Sequence, residues 1–166
     1  MKTTEPRPWQ VRCATVDDLD ALAGFSAGIA EETEGRILSV PRTKAALETV
    51  IRDASRGQMF VACDGPERIG CFMVNGREWS EWRNGFILWL TGTYVRPDYR
   101  RRGVRRALYQ FARSWAMAQP SVVGFRAYVQ PTNQAILKAE TSSGMRETGY
   151  RVIEDLFDPI RPVVER

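Results

Sequence analysis

Six arginines fall between positions 96 and 106: Arg96, Arg100, Arg101, Arg102, Arg105 and Arg106, with Gly103 among them. The stretch Val95-Arg96-Pro97-Asp98-Tyr99-Arg100-Arg101-Arg102-Gly103-Val104 ends an apolar strand-like segment and opens the most regular amphipathic helix pattern in the chain. A helix start presents backbone N–H groups with no intrahelical partner and a partial positive charge, so a turn leading into it suits a phosphate or diphosphate. Arginine side chains add full charges, and Gly103 lets the backbone come close to the ligand. The same string also fits an ordinary strand–turn–helix unit with a solvated basic face, since an Arg-x-x-Gly spacing alone is short.

Proton-transfer candidates are restricted by what is missing. The chain has no histidine, which removes the usual base of a serine or cysteine triad and the commonest zinc ligand. Carboxylates, tyrosines and water are left. Glu31, Glu32 and Glu34 cluster at the end of a first helix, and Glu78 and Glu81 lie near a strand edge. Each has a surface role as its alternative, yet together they could form an acidic mouth that attracts a cation. Trp79, Trp82 and Trp89, with Phe86, concentrate aromatic surface nearby, suited to core packing or to the face of a pocket for a cationic amine. Cys13, Cys63 and Cys71 are odd in number, have no Cys-x-x-Cys spacing and read as buried reduced thiols.

These groups need a scaffold. Trp9 to Thr15 reads as a strand, with Thr15 or Asp17 capping a helix that carries Leu19, Leu22, Ala23, Ser26 and Ile29 at near-helical spacing. Pro41 opens a second helix, and Gly57 is placed to end it. Met59 to Asp64 and Arg68 to Trp79 flank Gly65-Pro66-Glu67, an antiparallel hairpin signal. Phe86 to Arg96 is a central strand whose interior Thr91-Gly92-Thr93 marks a bulge or a close backbone approach. Val104, Ala107, Leu108, Phe111, Trp115 and Ala118 then form a helical stripe closed by Pro120. Val122 to Val129 follows as a strand, Thr132 or Asn133 caps a helix running to Ser143, Gly144 sits at its C-terminal cap, and Tyr150 to Phe157 supplies a last strand. This alternation predicts a mixed α/β sheet with helices on both faces, in which the strand–helix–strand unit around Val104 is a right-handed crossover.

At this point the residues resemble a known family. Arg100-x-x-Gly103 after a Tyr-Val-x-Pro strand end resembles the coenzyme A loop of the GNAT acetyltransferase superfamily, whose pattern is Gln or Arg, two residues, Gly, one residue, then Gly or Ala. Arg105 stands where the pattern has its second small residue. Glu78 to Gly85, the Asn133 helix, and Gly144-Met145 followed by Tyr150 to Glu154 extend the resemblance, to one branch of small bacterial members, over roughly Trp9 to Phe157. The resemblance implies a mostly antiparallel sheet of six to seven strands, about four flanking helices and a splayed parallel strand pair, in one domain over residues 9–157 with short tails at 1–8 and 158–166.

It also implies an N-acetyltransferase, an acyltransferase using acetyl-coenzyme A as co-substrate and no metal, with direct transfer to a primary amine in a ternary complex. Tyr94, Val95 and Arg96 would pair with the pantetheine; Arg100 to Arg102, Gly103, Val104, Arg105 and Arg106 would hold the phosphates, with Asn133 also on the cofactor. Glu31, Glu34, Trp79 and Trp82 would face the acceptor, and Glu32 is a candidate base. The family often protonates the leaving thiolate with a tyrosine seven residues after the helix-opening asparagine. That position is Glu140, which leaves Glu140 itself, Tyr94, Tyr128 or water as the proton source.

Composition bounds the alternatives. At 166 residues, 43% hydrophobic and 27% charged, the chain fits one globular domain. No apolar run approaches the roughly 20 residues needed to span a bilayer, and the polar start from Met1 to Pro8 is unlike a secretory signal, so the expected location is the cytoplasm. The net charge of +4 is modest. A nucleic-acid-binding module is the second reading of the arginine cluster, disfavoured because no stacking aromatics interleave it. A catalytically silent acetyl-coenzyme A binder is the third, prompted by Arg105 and Glu140. The expected partner is a small-molecule or peptide amine, with no nucleic acid or membrane; a homodimer is allowed.

Overall fold

The computed structural model describes residues 9–153 and 155. A short strand β1 (Gln10–Cys13) and a 3-10 turn (Val16–Asp18) lead into α1 (Leu19–Glu34) and α2 (Val40–Arg52). The strands β2 (Gly57–Asp64), β3 (Glu67–Ser80) and β4 (Gly85–Val95) follow, then α3 (Val104–Met117), β5 (Val122–Ala127) and α4 (Gln134–Ser142). One sheet takes the order β1-β2-β3-β4-β5. Its first three pairings are antiparallel, and β4 and β5 are parallel.

Two apolar layers sandwich the sheet. On one face Phe60, Phe72, Val74, Leu88 and Leu90 pack against Val104, Leu108 and Ala112 of α3. On the other, Met59, Val61, Cys71 and Met73 pack against Leu22, Ala23 and Phe25 of α1 and Leu47 of α2. Helices on both faces follow from strands whose inner residues alternate between the two layers.

A buried carboxylate anchors the start of α1. Asp18, fully shielded from solvent, accepts a bidentate pair of bonds from Arg12 at 2.7 and 2.9 Å, one from Arg68 Nε at 2.8 Å and one from the Thr15 amide at 2.8 Å. Burial alone would push this carboxyl up; the hydrogen bonds from Arg12, Thr15 and Arg68 outweigh it and hold the group well below the usual carboxylate range.

Three expectations are corrected. Five strands, rather than six to seven, are present among the described residues: Tyr150–Ile153 and Asp155 form no strand, and the rest of the expected strand lies outside the described residues. Tyr150, Val152 and Ile153 are 75%, 64% and 92% exposed, so these strand-favouring side chains have no sheet face to bury on. Gly57 begins β2 instead of ending α2, which stops at Arg52 with Asp53 as its cap; the Asp53 side chain accepts from Ser55 and Arg56 and turns the chain. Cys13 is exposed while Cys63 and Cys71 are buried, because β1 is an edge strand and Cys13 is its last residue.

Candidate functional site

The site begins with a fault in β4. Met73 pairs with Gly92 and Val74 with Leu90, so two steps on β4 oppose one on β3, which places a bulge at Thr91. Gly92 faces α1 closely: a Cβ there would lie 3.3 Å from Ile29 and 3.4 Å from the Met73 sulfur. The Thr91 hydroxyl is buried with no hydrogen-bond partner among the described residues.

The bulge coincides with a parting of strands. Pairing of β4 with β5 ends at Leu90 and Ala127, whereas pairing with β3 continues to Val95. Residues 91–95 therefore keep one free edge, and a wedge opens between the parallel strands. The Arg96 amide donates to Ile69 of β3 at 2.9 Å. Backbone direction alternates along a strand, so the N–H and C=O groups of Thr93 and Val95 face the wedge. The Val95 carbonyl already accepts Arg100 Nε at 2.9 Å.

The wedge leads to the basic turn. Pro97–Tyr99 forms a 3-10 turn, Arg101 (φ 61°) and Gly103 (φ 85°) are left-handed, and α3 starts at Val104. The left-handed Gly103 breaks the chain direction so that α3 begins abruptly. Its first intrahelical bond is Ala107 N–H to Gly103 C=O at 3.0 Å, leaving the Val104, Arg105 and Arg106 amides ahead of the ladder. A Cβ on Gly103 would meet nothing within 4 Å among the described residues. Three free donors, a helix start and open space form an anion cradle, which fits a diphosphate.

The arginines around the cradle divide by partner. Arg96 is engaged by Glu67 and Asp98, each at 2.7 Å. Arg102 lies over the rings of Tyr99 and Trp9 at 4.7 and 5.7 Å. Arg100 Nη2 donates to both oxygens of Glu32 at 2.8 and 2.9 Å, and the Tyr94 hydroxyl donates to the same carboxylate at 3.3 Å. Burial, then the charge of Glu32, raises the Tyr94 phenol. Arg105 turns away from solvent to pair with Glu140 of α4 at 2.5 Å. Arg101 and Arg106 are exposed at the mouth.

The remaining sequence-derived residues are scattered. Asn133 caps α4, its Oδ1 accepting the Ile136 amide at 3.2 Å. Glu31 is exposed, and Glu34 pairs with Arg36 at 3.3 Å. Trp79 packs edge-on against Phe86 at the far end of the β3–β4 hairpin, and Trp82 is 84% exposed in its turn. Phe86 is six residues before Gly92, roughly 20 Å along a strand, so these two tryptophans are set apart from the wedge. A closer group is Trp89, with Tyr128 at 5.9 Å and Arg126 over its ring at 5.6 Å, Arg126 being held by Glu78 at 2.6 Å. Thr93 belongs to the Thr91-Gly92-Thr93 signal already read from the sequence, whereas Arg126 was not singled out there and nothing local marks it.

The sequence profile of the acetyltransferase (GNAT) family matches residues 28–139. No curated protein sequence matches the chain. Among solved structures, a possible acetyltransferase from Clostridium difficile 630 superposes with a TM-score of 0.82 at 30% identity, over 90% of this chain and 98% of that one. AAC(6')-Iy, solved in complex with the bisubstrate analogue CoA-S-monomethyl-acetylneamine, gives 0.74 at 17% identity over 89% and 97%. Ribosomal-protein-alanine N-acetyltransferase from Brucella melitensis biovar Abortus 2308 gives 0.68 at 13% identity over 90% and 99%. The last two likenesses are of fold.

Proposed function

Because the chain belongs to the acetyltransferase (GNAT) family, we propose that it is an N-acetyltransferase that takes an acetyl group from acetyl-coenzyme A to a primary amine in a ternary complex. The observation that carries this reading is the continuity of the β4 wedge with the cradle at Val104–Arg106. An extended chain with a diphosphate at one end and a thioester at the other fits that path.

In this reading each part of the chain has a task. The Val104, Arg105 and Arg106 amides and the exposed Arg101 and Arg106 guanidiniums bind the diphosphate. Thr93 and Val95 pair with the pantetheine amides along the free edge, and the wedge beside the Thr91 bulge takes the acetyl end. A backbone N–H aimed there would stabilise the oxyanion as the amine nitrogen attacks the carbonyl carbon. The C–S bond then breaks with its electron pair leaving on sulfur. Glu32, directly or through water, would receive the proton that the amine must lose.

Glu140 does not suit the acid role in this geometry, since a carboxylate paired with arginine offers only acceptors. Water or Tyr128, which is 60% exposed, would supply the thiolate's proton. The same pair favours one second reading, an acetyl-coenzyme A binder without turnover. Release of free thiol from acetyl-coenzyme A over a panel of aminoglycosides, polyamines and N-terminal peptides separates the two. Amine-dependent thiol release supports transfer, and coenzyme binding with no release on any amine supports the silent reading. The proposed setting is the cytoplasm; no helix among the described residues is long and apolar enough to cross a membrane.

A further inference from the structure

We propose that Arg100 is an exchange residue that Glu32 holds in the free protein and the coenzyme diphosphate takes in the complex, so that Glu32 becomes available to the amine only once the cofactor is seated. The inference rests on the proposed coenzyme site. It comes from two contacts that Arg100 cannot keep while that site is in use. Its Nε covers the Val95 carbonyl at 2.9 Å, an acceptor on the free strand edge along which the pantetheine would lie. Its Nη2 makes both of its bonds to Glu32, although Arg100 stands only three residues ahead of Gly103, where the cradle begins.

The exchange is energetically accessible. Arg100 and Glu32 are 41% and 44% exposed at their side chains, and an ion pair in such surroundings is weak because water screens it. A diphosphate offers more charge and can accept two parallel N–H bonds from the guanidinium fork, whereas Glu32 is bonded by Nη2 alone, so it competes well for Arg100. The Arg100 guanidinium lies 5.5 Å over the Tyr94 ring, and Tyr94 stacks on Phe25 at 5.4 Å, which gives the arginine a fixed platform to pivot on. When Arg100 leaves, Glu32 keeps only the Tyr94 hydroxyl among the described residues. Its carboxylate then sits at the C-terminal end of α1 beside the wedge, with acceptor capacity for an ammonium or for the proton an amine sheds.

The test is a binding cycle with coenzyme A and with pantetheine, which lacks the phosphates. Wild type should bind coenzyme A, and Glu32→Gln should bind it two- to five-fold more tightly, because Arg100 no longer has to be released. In an Arg100→Gln background the Glu32→Gln change should alter the affinity by less than 1.5-fold, and pantetheine, which displaces Arg100 Nε from the Val95 carbonyl but offers the guanidinium no phosphate, should gain less from Glu32→Gln than coenzyme A does. With whichever amine the thiol-release panel identifies, Glu32→Gln should raise the KM for the amine without raising that for acetyl-coenzyme A. An unchanged or weaker coenzyme A affinity in Glu32→Gln overturns the exchange, as does an equal gain without Arg100 or with pantetheine. Failure of wild type to bind coenzyme A overturns the site on which the exchange rests. Glu32→Ala, with a melting curve for each variant, serves if the glutamine variant is poorly folded.

Discussion

Arg105 and Glu140 meet across α3 and α4 with Nη2 and Oε1 2.5 Å apart. They are the two positions at which the chain departs from the GNAT pattern it otherwise follows, one in the phosphate loop and one on the helix opened by Asn133. The Arg105 side chain reaches back toward Ala139 and Ser143. The carboxylate that replaces a tyrosine receives it. The two departures are thus one structural unit.

Substituting one member should cost stability. Glu140 is 8% exposed, and Glu140→Gln leaves Arg105 without its counter-ion, an expected loss of about 2 kcal/mol. Thermal or urea unfolding measures it. Arg105→Leu with Glu140→Leu should recover most of the loss, since an apolar pair leaves no buried charge. Turnover per folded molecule should stay within about threefold in Glu140→Gln; a collapse of turnover with intact coenzyme binding would restore Glu140 as the acid.

Gly103 separates cofactor binding from folding. The space around it is open, so Gly103→Trp should fill the cradle and reduce coenzyme A affinity at least a hundredfold while the core is kept. Forcing a side chain into φ 85° adds a cost of ~1–2 kcal/mol. Calorimetry and a melting curve on the same sample distinguish the two effects.

The Asp18 knot makes stability depend on acid. A carboxyl depressed in the fold relative to its unfolded value near 4 contributes stability that is complete above about pH 4 and is lost as pH falls below it. Asp18→Asn should flatten that part of the stability profile and destabilise the protein at pH 7 by about 3 kcal/mol, because Arg12 and Arg68 lose their shared counter-charge. An unchanged acid limb in urea titrations at several pH values would contradict this role.

Thiol chemistry should report the edge strand. Cys13 is exposed, and burial pushes the Cys71 thiol up to about 12. A chromogenic disulfide reagent should label one thiol rapidly in the native protein and the remaining two only on unfolding.

Much of this was legible in the residues. The Val104 stripe and the Gly65-Pro66-Glu67 turn gave α3 and the β2–β3 hairpin, because periodicity and turn chemistry are local properties. Gly92 announced the bulge. The last strand failed for the opposite reason: Tyr150–Ile153 carry strand-favouring side chains, but whether a face exists for them is decided by distant packing. In the candidate site the backbone donors could be placed from the turn and helix start, while side-chain partners could not. Arg100 and Glu32 are 68 residues apart in sequence yet bonded in the fold, and the register that brings Arg105 to Glu140 depends on how α4 lies on α3.

The most direct measurement is an amide proton–nitrogen correlation spectrum recorded while coenzyme A is added. The largest shifts are expected at Val104, Arg105 and Arg106, with a second group at Thr93 and Val95, all saturating together. Saturable binding that leaves those five amides unmoved, or no binding at millimolar coenzyme A, would contradict the proposed site.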